Sequence, residues 1–120
     1  MISQFWNPLT NKVITVESGL LRDGIAGYTK DGLRIIIDIL VPGWMWTPLI
    51  SHEVLEMTLT QQLGFDYKWA HQQATALERK VAESLQINWE EYDATYKQLL
   101  DMVLKREPKP PPIADLDVHT

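Results

Sequence analysis

The chain has 120 residues, enough for one domain with a modest core, and its net charge of −5 argues against a nucleic-acid surface. It contains no cysteine, which excludes disulfides and thiolate metal sites, so any metal ion must bind histidine, carboxylate or backbone oxygen. No apolar run approaches the roughly 20 residues of a membrane span and no secretory signal is visible, so we expect a cytoplasmic protein without membrane contact.

The first part of the chain predicts a small antiparallel sheet. Residues 1–12, which include Phe5 and Trp6, are expected to form an irregular lead-in whose aromatic rings fold onto the core or onto a partner. Residues 12–17 alternate in polarity and are rich in β-branched side chains. This pattern predicts a first strand that ends near Gly19.

A β-hairpin is predicted next. Residues 25–29 and 33–40 are strand-like, and they flank an Asp31-Gly32 pair, which is a strong short-range hairpin signal. The second arm is almost continuously apolar, so we expect a central strand that is buried on both faces. Asp38 lies within this arm and would need a buried partner.

The segment Trp44-Met45-Trp46 lies in a loop between the predicted sheet and the first predicted helix. In one interpretation these large side chains cover the end of the core. In the other they form an exposed apolar patch that docks a substrate or another protein chain.

Residues 47–64 predict a helix with both ends marked. Thr47 is expected to cap it, Pro48 to occupy the first position, and Gly64 to adopt the left-handed conformation after the last turn. Apolar residues recur at spacings of three and four, which predicts one buried face. That face would consist of Leu49, Leu55, Leu59 and Leu63, with Val54 and Met57 beside them.

Two more helices are predicted. Asp66 is expected to cap a second helix over residues 67–85. Asn88, with Glu91 three residues later, forms a capping-box pattern that opens a third helix. We therefore expect an α+β domain in which a small antiparallel sheet is followed by three helices.

The domain is assigned to residues 1–106, and residues 107–120 are assigned to a proline-rich tail that begins with Pro108. Such a tail would be disordered, or it would lie along the domain or along a partner. His119 in this tail is expected to have no functional role.

Ionisable residues stand at helical spacing in the first predicted helix. His52 and Glu56 are one turn apart, close enough to bind one ion, and Glu53 lies beside them, where a general base would stand. The short connection to the second helix predicts that the two helices are antiparallel neighbours. Counting outward from a pivot near Phe65 places His52 opposite Glu78.

The second predicted helix carries His71 and Glu78 on one stripe that can face the first helix. The same register places His71 about one turn from the best position. A buried cluster of this kind is costly unless its members are paired or bind a metal. The alternative is a solvated acidic face with ordinary histidines at its boundary.

These residues resemble a known family. A β-hairpin, a helix with His52-Glu53-x-x-Glu56, and a second helix that supplies a glutamate are similar to the minimal core of the zincin metallopeptidases, in particular the gluzincins. The stretches HEVLE and GFDYKWAHQQATALE also resemble small proteins encoded by phages and prophages. The resemblance covers roughly residues 25–85.

The resemblance implies that His52 is a metal ligand, Glu53 the catalytic glutamate and Glu78 a further ligand. If the chain is phage-encoded, we expect the protein in the host cytoplasm. Glu56 stands where the family has a second histidine, and His71 would restore a second nitrogen ligand. The family implies zinc, whereas a carboxylate at position 56 favours harder ions such as manganese or iron.

Two functions follow as hypotheses. The first is a metal-dependent hydrolase or peptidase with Glu53 as general base, in which the strand over residues 33–40 offers an edge to an extended substrate. The second is a non-catalytic interaction or structural protein with a degenerate metal site. Its working surfaces would be Trp44, Met45, Trp46 and the tail, which would bind a peptide or a protein.

Overall fold

A computed structural model describes residues 2–117 of the chain, and in it a five-stranded sheet packs against helices. The strands are β1 (Ile2–Asn7), β2 (Lys12–Gly19), β3 (Ala26–Thr29), β4 (Arg34–Asp38) and β5 (Leu116–Asp117). The helices are α1 (Trp46–Met57), α2 (Tyr67–Ser84) and α3 (Trp89–Leu104). The predicted α+β class is confirmed. None of these helices combines the length and apolarity needed to cross a bilayer.

The predicted hairpin is confirmed, since β3 and β4 pair antiparallel. Gly32 in the connecting turn has a φ of 75°, and the Thr29 hydroxyl donates a hydrogen bond to the Asp31 carboxylate over 2.6 Å. A left-handed residue at this position suits glycine, which has no Cβ to clash. The predicted central strand is confirmed as well, because β4 lies between β2 and β3.

The sheet is mixed rather than antiparallel throughout. Its strand order is β1-β2-β4-β3-β5, in which β2 and β4 are parallel and the other neighbours are antiparallel. After β2 the chain crosses the position of β4 and forms β3 on its far side. The hairpin then returns as β4, which therefore runs parallel to β2. Both edges of β4 are thereby occupied, so the hypothesis that residues 33–40 offer a free edge is wrong.

The lead-in is a strand rather than an irregular segment. Residues 2–7 form β1, which pairs with β2 over six residues, and Asn11 in the intervening turn has a left-handed φ of 56°. Phe5 packs against the core, whereas Trp6 on the opposite face is 58% exposed and donates its indole N–H to Asn11. The polar and apolar residues of this short segment do not alternate regularly, which is why the sequence did not predict a strand here.

The tail lies along the domain. Ile113 packs beside Ile36 at Gly19, where a Cβ would meet the Ile36 methyl at 3.1 Å, so any larger residue would have to push Ile36 aside by a few tenths of an ångström. Beyond it, β5 adds to the outer edge of β3. His119 lies outside the residues that the structure describes.

Asp38 has the buried partner that its position requires. The Arg106 guanidinium donates two hydrogen bonds of 2.8 Å to its carboxylate, and the backbone N–H groups of Leu21 and Leu40 donate two more. Burial acts to raise the pKa of Asp38, but these bonds outweigh it and hold the pKa below its ordinary value. The pair joins the end of the central strand to the segment after α3.

We expect Arg106→Ala to lower the free energy of unfolding by about 3–5 kcal/mol, because it leaves the Asp38 charge buried without its partner. Urea unfolding followed by circular dichroism measures the change. The matched control is Arg34→Ala, which removes the half-exposed pair with Glu17 and should cost no more than about 1 kcal/mol. Equal losses in the two variants would contradict the role of the buried pair.

Candidate metal and catalytic site

Helix α1 begins earlier than predicted. A short 3-10 turn at Gly43–Met45 leads into it, so Trp46 is already helical, and the residue before the helix makes no side-chain cap. The prediction that Thr47 caps the helix is therefore wrong. The start is held instead by the buried Met45 and by the Trp46 indole, which donates a hydrogen bond to the Val41 carbonyl over 3.2 Å.

The aromatic loop before α1 contributes mainly to the core. Met45 is buried and Trp46 packs against the core, which agrees with the interpretation that this segment covers the end of the core. Trp44 is half-exposed and lies edge-on to Tyr92, with ring centroids 6.2 Å apart. A continuous apolar patch of all three side chains is therefore absent from this segment.

The C-terminal end of α1 widens into a π-helical turn at Thr58–Gln62. The Leu63 N–H reaches back five residues to the Thr58 carbonyl, and the Thr60 hydroxyl donates to the Glu56 carbonyl over 2.8 Å. Gly64 follows with a φ of 69°, which confirms its predicted left-handed conformation. Such turns occur frequently at functional sites, and this one begins two residues after Glu56.

The buried face of α1 is not the predicted leucine face. Leu49 and Met57 are buried, but Leu63 is 60% exposed, and Leu55 borders a surface groove of about 400 Å³. The interior face of the helix instead carries three ionisable residues, namely His52, Glu53 and Glu56. The apolar periodicity therefore predicted the helix correctly, but the face that it predicted to be buried is wrong.

Helix α2 packs antiparallel to α1, and the Asp66 carboxylate caps it by accepting from the Trp69 N–H, as predicted. The predicted register is confirmed at its main point, since His52 Nδ1 lies 2.8 Å from Glu78 Oε1. Both side chains are buried. The alternative of a solvated acidic face therefore does not hold for His52 and Glu78.

Glu56 is the centre of the cluster. Its Oε2 atom lies 3.0 Å from His52 Nε2 and 2.8 Å from His71 Nδ1, and its Oε1 accepts a hydrogen bond from the Tyr28 hydroxyl over 3.0 Å. His71 thus belongs to the cluster, although the register argument had placed it about one turn away. That argument counted backbone positions and left out the combined reach of two side chains.

These contacts shift the pKa values of the central groups. Burial acts to lower the pKa of His52, but hydrogen bonds to Glu56 and Glu78 and nearby negative charges raise it to about 10. Burial acts to raise the pKa of Glu56, yet hydrogen bonds from His52 and His71 keep it below its ordinary value. The cluster is therefore a buried network in which an imidazolium lies between carboxylates.

Glu53 differs from the other carboxylates of the site. It makes no hydrogen bond within residues 2–117, and it borders a cavity of about 210 Å³. Burial raises the pKa of Glu53 to about 8, with the His52 charge opposing the shift and the charges of Glu56 and Glu78 adding to it. A carboxyl group with a pKa near neutrality, beside a cavity, suits a general base.

The same cavity is lined by side chains from several elements, including His52, His71 and Glu78 from the cluster. The remaining lining residues are Ala26 from β3, Leu49, Thr75, and Trp89, Tyr92, Asp93 and Tyr96 from α3. Helix α3 therefore supplies an aromatic wall to this cavity, formed by Trp89, Tyr92 and Tyr96.

Sequence analysis missed two tyrosines that hold the cluster. The Tyr28 hydroxyl donates to Glu56, and the Tyr92 hydroxyl donates to Glu78, which in turn contacts His52. Burial raises the pKa of both phenols, so both remain protonated donors. Tyrosines on the core-facing sides of a strand and a helix are the signal that could have found them, because a buried phenol needs a polar partner.

The donor set of the site fits a metal ion. One ligand atom from each of His52, Glu56 and His71 can be chosen so that all three lie within 4.8 Å of one another. Glu78 lies at the other ring nitrogen of His52, on the far side of that imidazole. Comparison of the chain with protein-family models, curated proteins and solved structures gives no match.

Tyr28→Phe should lower the free energy of unfolding by about 1.5–3 kcal/mol, because it removes a hydrogen bond to a buried carboxylate. Thermal or urea unfolding measures the loss. Tyr96→Phe is the matched control, since the Tyr96 hydroxyl makes no hydrogen bond within the described residues. An equally large loss of unfolding free energy in the control would show that the hydrogen bond from Tyr28 to Glu56 does not stabilise the fold.

Proposed function

We propose that His52, Glu56 and His71 bind a divalent cation and that Glu53 is the general base in hydrolysis of a peptide-like bond. The observation that carries this proposal is the convergence of two imidazole nitrogens on a single oxygen of Glu56, at 3.0 and 2.8 Å. Without an ion these groups form hydrogen bonds. With an ion, the same atoms become its ligands.

The spacing of the donor atoms supports the proposal. Ligand bonds of about 2.0–2.1 Å in tetrahedral geometry put neighbouring donors about 3.3 Å apart. The two nitrogen–oxygen separations of 3.0 and 2.8 Å need to widen by only a few tenths of an ångström. The two nitrogens lie within 4.8 Å of each other and would settle at the same spacing around an ion.

The surrounding side chains would orient the ligands. Glu78 engages His52 Nδ1, which directs Nε2 of the same ring to the ion, and Tyr92 holds Glu78 in turn. Tyr28 engages one oxygen of Glu56, which leaves the other oxygen for the ion. Glu78 is therefore assigned here to orientation of His52 rather than to direct ligation, an arrangement that is common around metal-bound histidines.

The proposed chemistry divides between the ion and the chain. A bound divalent cation would polarise the scissile carbonyl and acidify water, as in other metal-dependent hydrolases. Glu53 would take the proton from the attacking water and deliver it to the leaving nitrogen. The aromatic wall from α3 would limit access of bulk water to the cavity.

The donor set also bears on which ion is bound. Two imidazole nitrogens and one carboxylate favour zinc, with manganese and iron as alternatives because the carboxylate adds negative charge and hard oxygen. The zincin-like assignment and a phage or prophage origin are part of this proposal.

We expect protein stripped with chelator to bind one Zn²⁺ per chain in calorimetric titration. Glu56→Gln and His71→Ala should each weaken binding by at least about 100-fold, and Glu78→Gln should weaken it by about 10–100-fold through loss of orientation. Glu83→Gln, an exposed position on α2, is the control and should bind normally. A folded wild-type chain that binds neither Zn²⁺ nor Mn²⁺ would instead favour the non-catalytic interaction protein.

Glu53→Gln separates ligation from catalysis. It should leave Zn²⁺ affinity within about threefold of wild type and reduce hydrolysis of labelled casein by about 10²–10⁴-fold, since it removes only the general base. Metal analysis and the hydrolysis rate are measured on the same preparation. Loss of the ion together with activity would contradict the roles assigned to Glu53 and to the ligands.

A further inference from the structure

The outer edge of β3 leads towards the proposed site. Tyr28 in this strand reaches Glu56, and Ala26 lines the cavity that also holds His52 and Glu53. An extended peptide that paired with this edge would therefore pass beside the general base. The edge is the natural approach for a substrate with an exposed backbone.

Part of this edge is occupied by the chain itself. Segment β5 pairs antiparallel with β3, with Leu116 opposite Thr29 and Asp117 opposite Tyr28. Asp115 has a left-handed φ of 60°, and its carbonyl accepts a hydrogen bond from the Lys30 N–H over 2.9 Å. These contacts are the same backbone contacts that an incoming peptide would make.

The occupant is weakly held. β5 pairs over two residues, whereas β1 and β2 pair over six. Leu116 and Asp117 are only partly buried, and a small cavity of about 50 Å³ lies between Leu116 and the loop before β3. Short, partly exposed strand pairing has a low local free energy of opening, so such a segment can be displaced.

The occupied half of the edge adjoins the half that borders the cavity. β5 pairs with Tyr28 and Thr29, and Ala26, two residues before Tyr28 in the same strand, lines the cavity. Asp117 is also close enough to Tyr67 for its charge to act on the phenol that contacts His71. The end of β5 thus points to the site rather than away from it.

We propose that the C-terminal arm, residues 114–117, is an intramolecular ligand of β3 that competes with extended peptides for the edge beside the site. Its role in regulating hydrolysis rests on the function proposed above, whereas the competition for the edge does not. A tethered segment acts at an effective concentration of the order of millimolar. It would therefore exclude weakly binding peptides and admit those that bind the edge more tightly.

The test compares the full chain with a chain that ends at Ile113, which keeps the Asp38–Arg106 pair and the Ile113 packing. Each is titrated, free of metal, with a synthetic peptide of residues 114–120, and the backbone amide resonances of β3 are followed by NMR. We expect saturable shifts in the shortened chain and at least about tenfold weaker binding to the full chain. A peptide with proline at the positions of Leu116 and Asp117 is the control and should not bind.

Substitutions in the full-length chain test the same competition without shortening the chain. Asp117→Pro removes a backbone donor from β5 and should increase affinity for the peptide, whereas Asp117→Ala loses only the side chain, keeps the N–H and should increase affinity much less. Equal affinity in all folded variants, or no binding to any of them, would overturn the proposal.

Hydrolysis of labelled casein in the presence of Zn²⁺ then tests the regulatory consequence. If the arm restricts access, Asp117→Pro should hydrolyse casein at least about fivefold faster than Asp117→Ala, as expected when a tethered competitor is released. If the peptide competes for β3 but no variant hydrolyses casein, the arm remains a ligand of β3 and the hydrolase function fails.

Discussion

The imidazole of His52 lies between two carboxylates at the interface of α1 and α2, and the arrangement of the site depends on it. Four ionisable side chains in this region are buried, namely His52, Glu53, Glu56 and Glu78. Removing such charges from water is expensive unless opposite charges and hydrogen bonds compensate. Here His52 contacts Glu56 and Glu78, and the phenols of Tyr28 and Tyr92 donate to the same two carboxylates. The network ties β3, α1, α2 and α3 to one another.

A helix that turns its charged residues inward and leaves leucines partly exposed departs from what packing alone would select. Departures of this kind concentrate at functional sites, because stability is sacrificed there for chemistry. Glu53 and Glu56 differ in hydrogen bonding and in pKa. Within residues 2–117, Glu53 makes no hydrogen bond and has a raised pKa, whereas Glu56 is hydrogen-bonded through both of its oxygens and has a lowered pKa. Two carboxyl groups three residues apart thus acquire different properties from their surroundings.

The features that the sequence predicted correctly are those that local chemistry determines. The Asp31-Gly32 turn, the left-handed Gly64 and the Asp66 cap depend on neighbours a few residues away. The contact of His52 with Glu78 follows from a short connection between two helices. By contrast, the addition of β5 and the tyrosine donors depend on partners distant in sequence. The prediction of which face of α1 is buried was wrong for a related reason. That face depends on which side chains of α2 and of the sheet pack against it.

The π-helical turn has a consequence for the geometry of the whole site. Because the Leu63 donor lies five positions after the Thr58 acceptor, the turn at Thr58–Gln62 holds one residue more than an α-helical turn would hold. That surplus residue sets the rotational phase and the axial offset with which the chain enters α2. Deleting it would rotate the rest of that turn by about 100° relative to α1, which is the angle per residue of an α-helix. The extra residue therefore changes where the chain leaves the helix that carries His52 and Glu56 and begins the connection to the helix that carries His71.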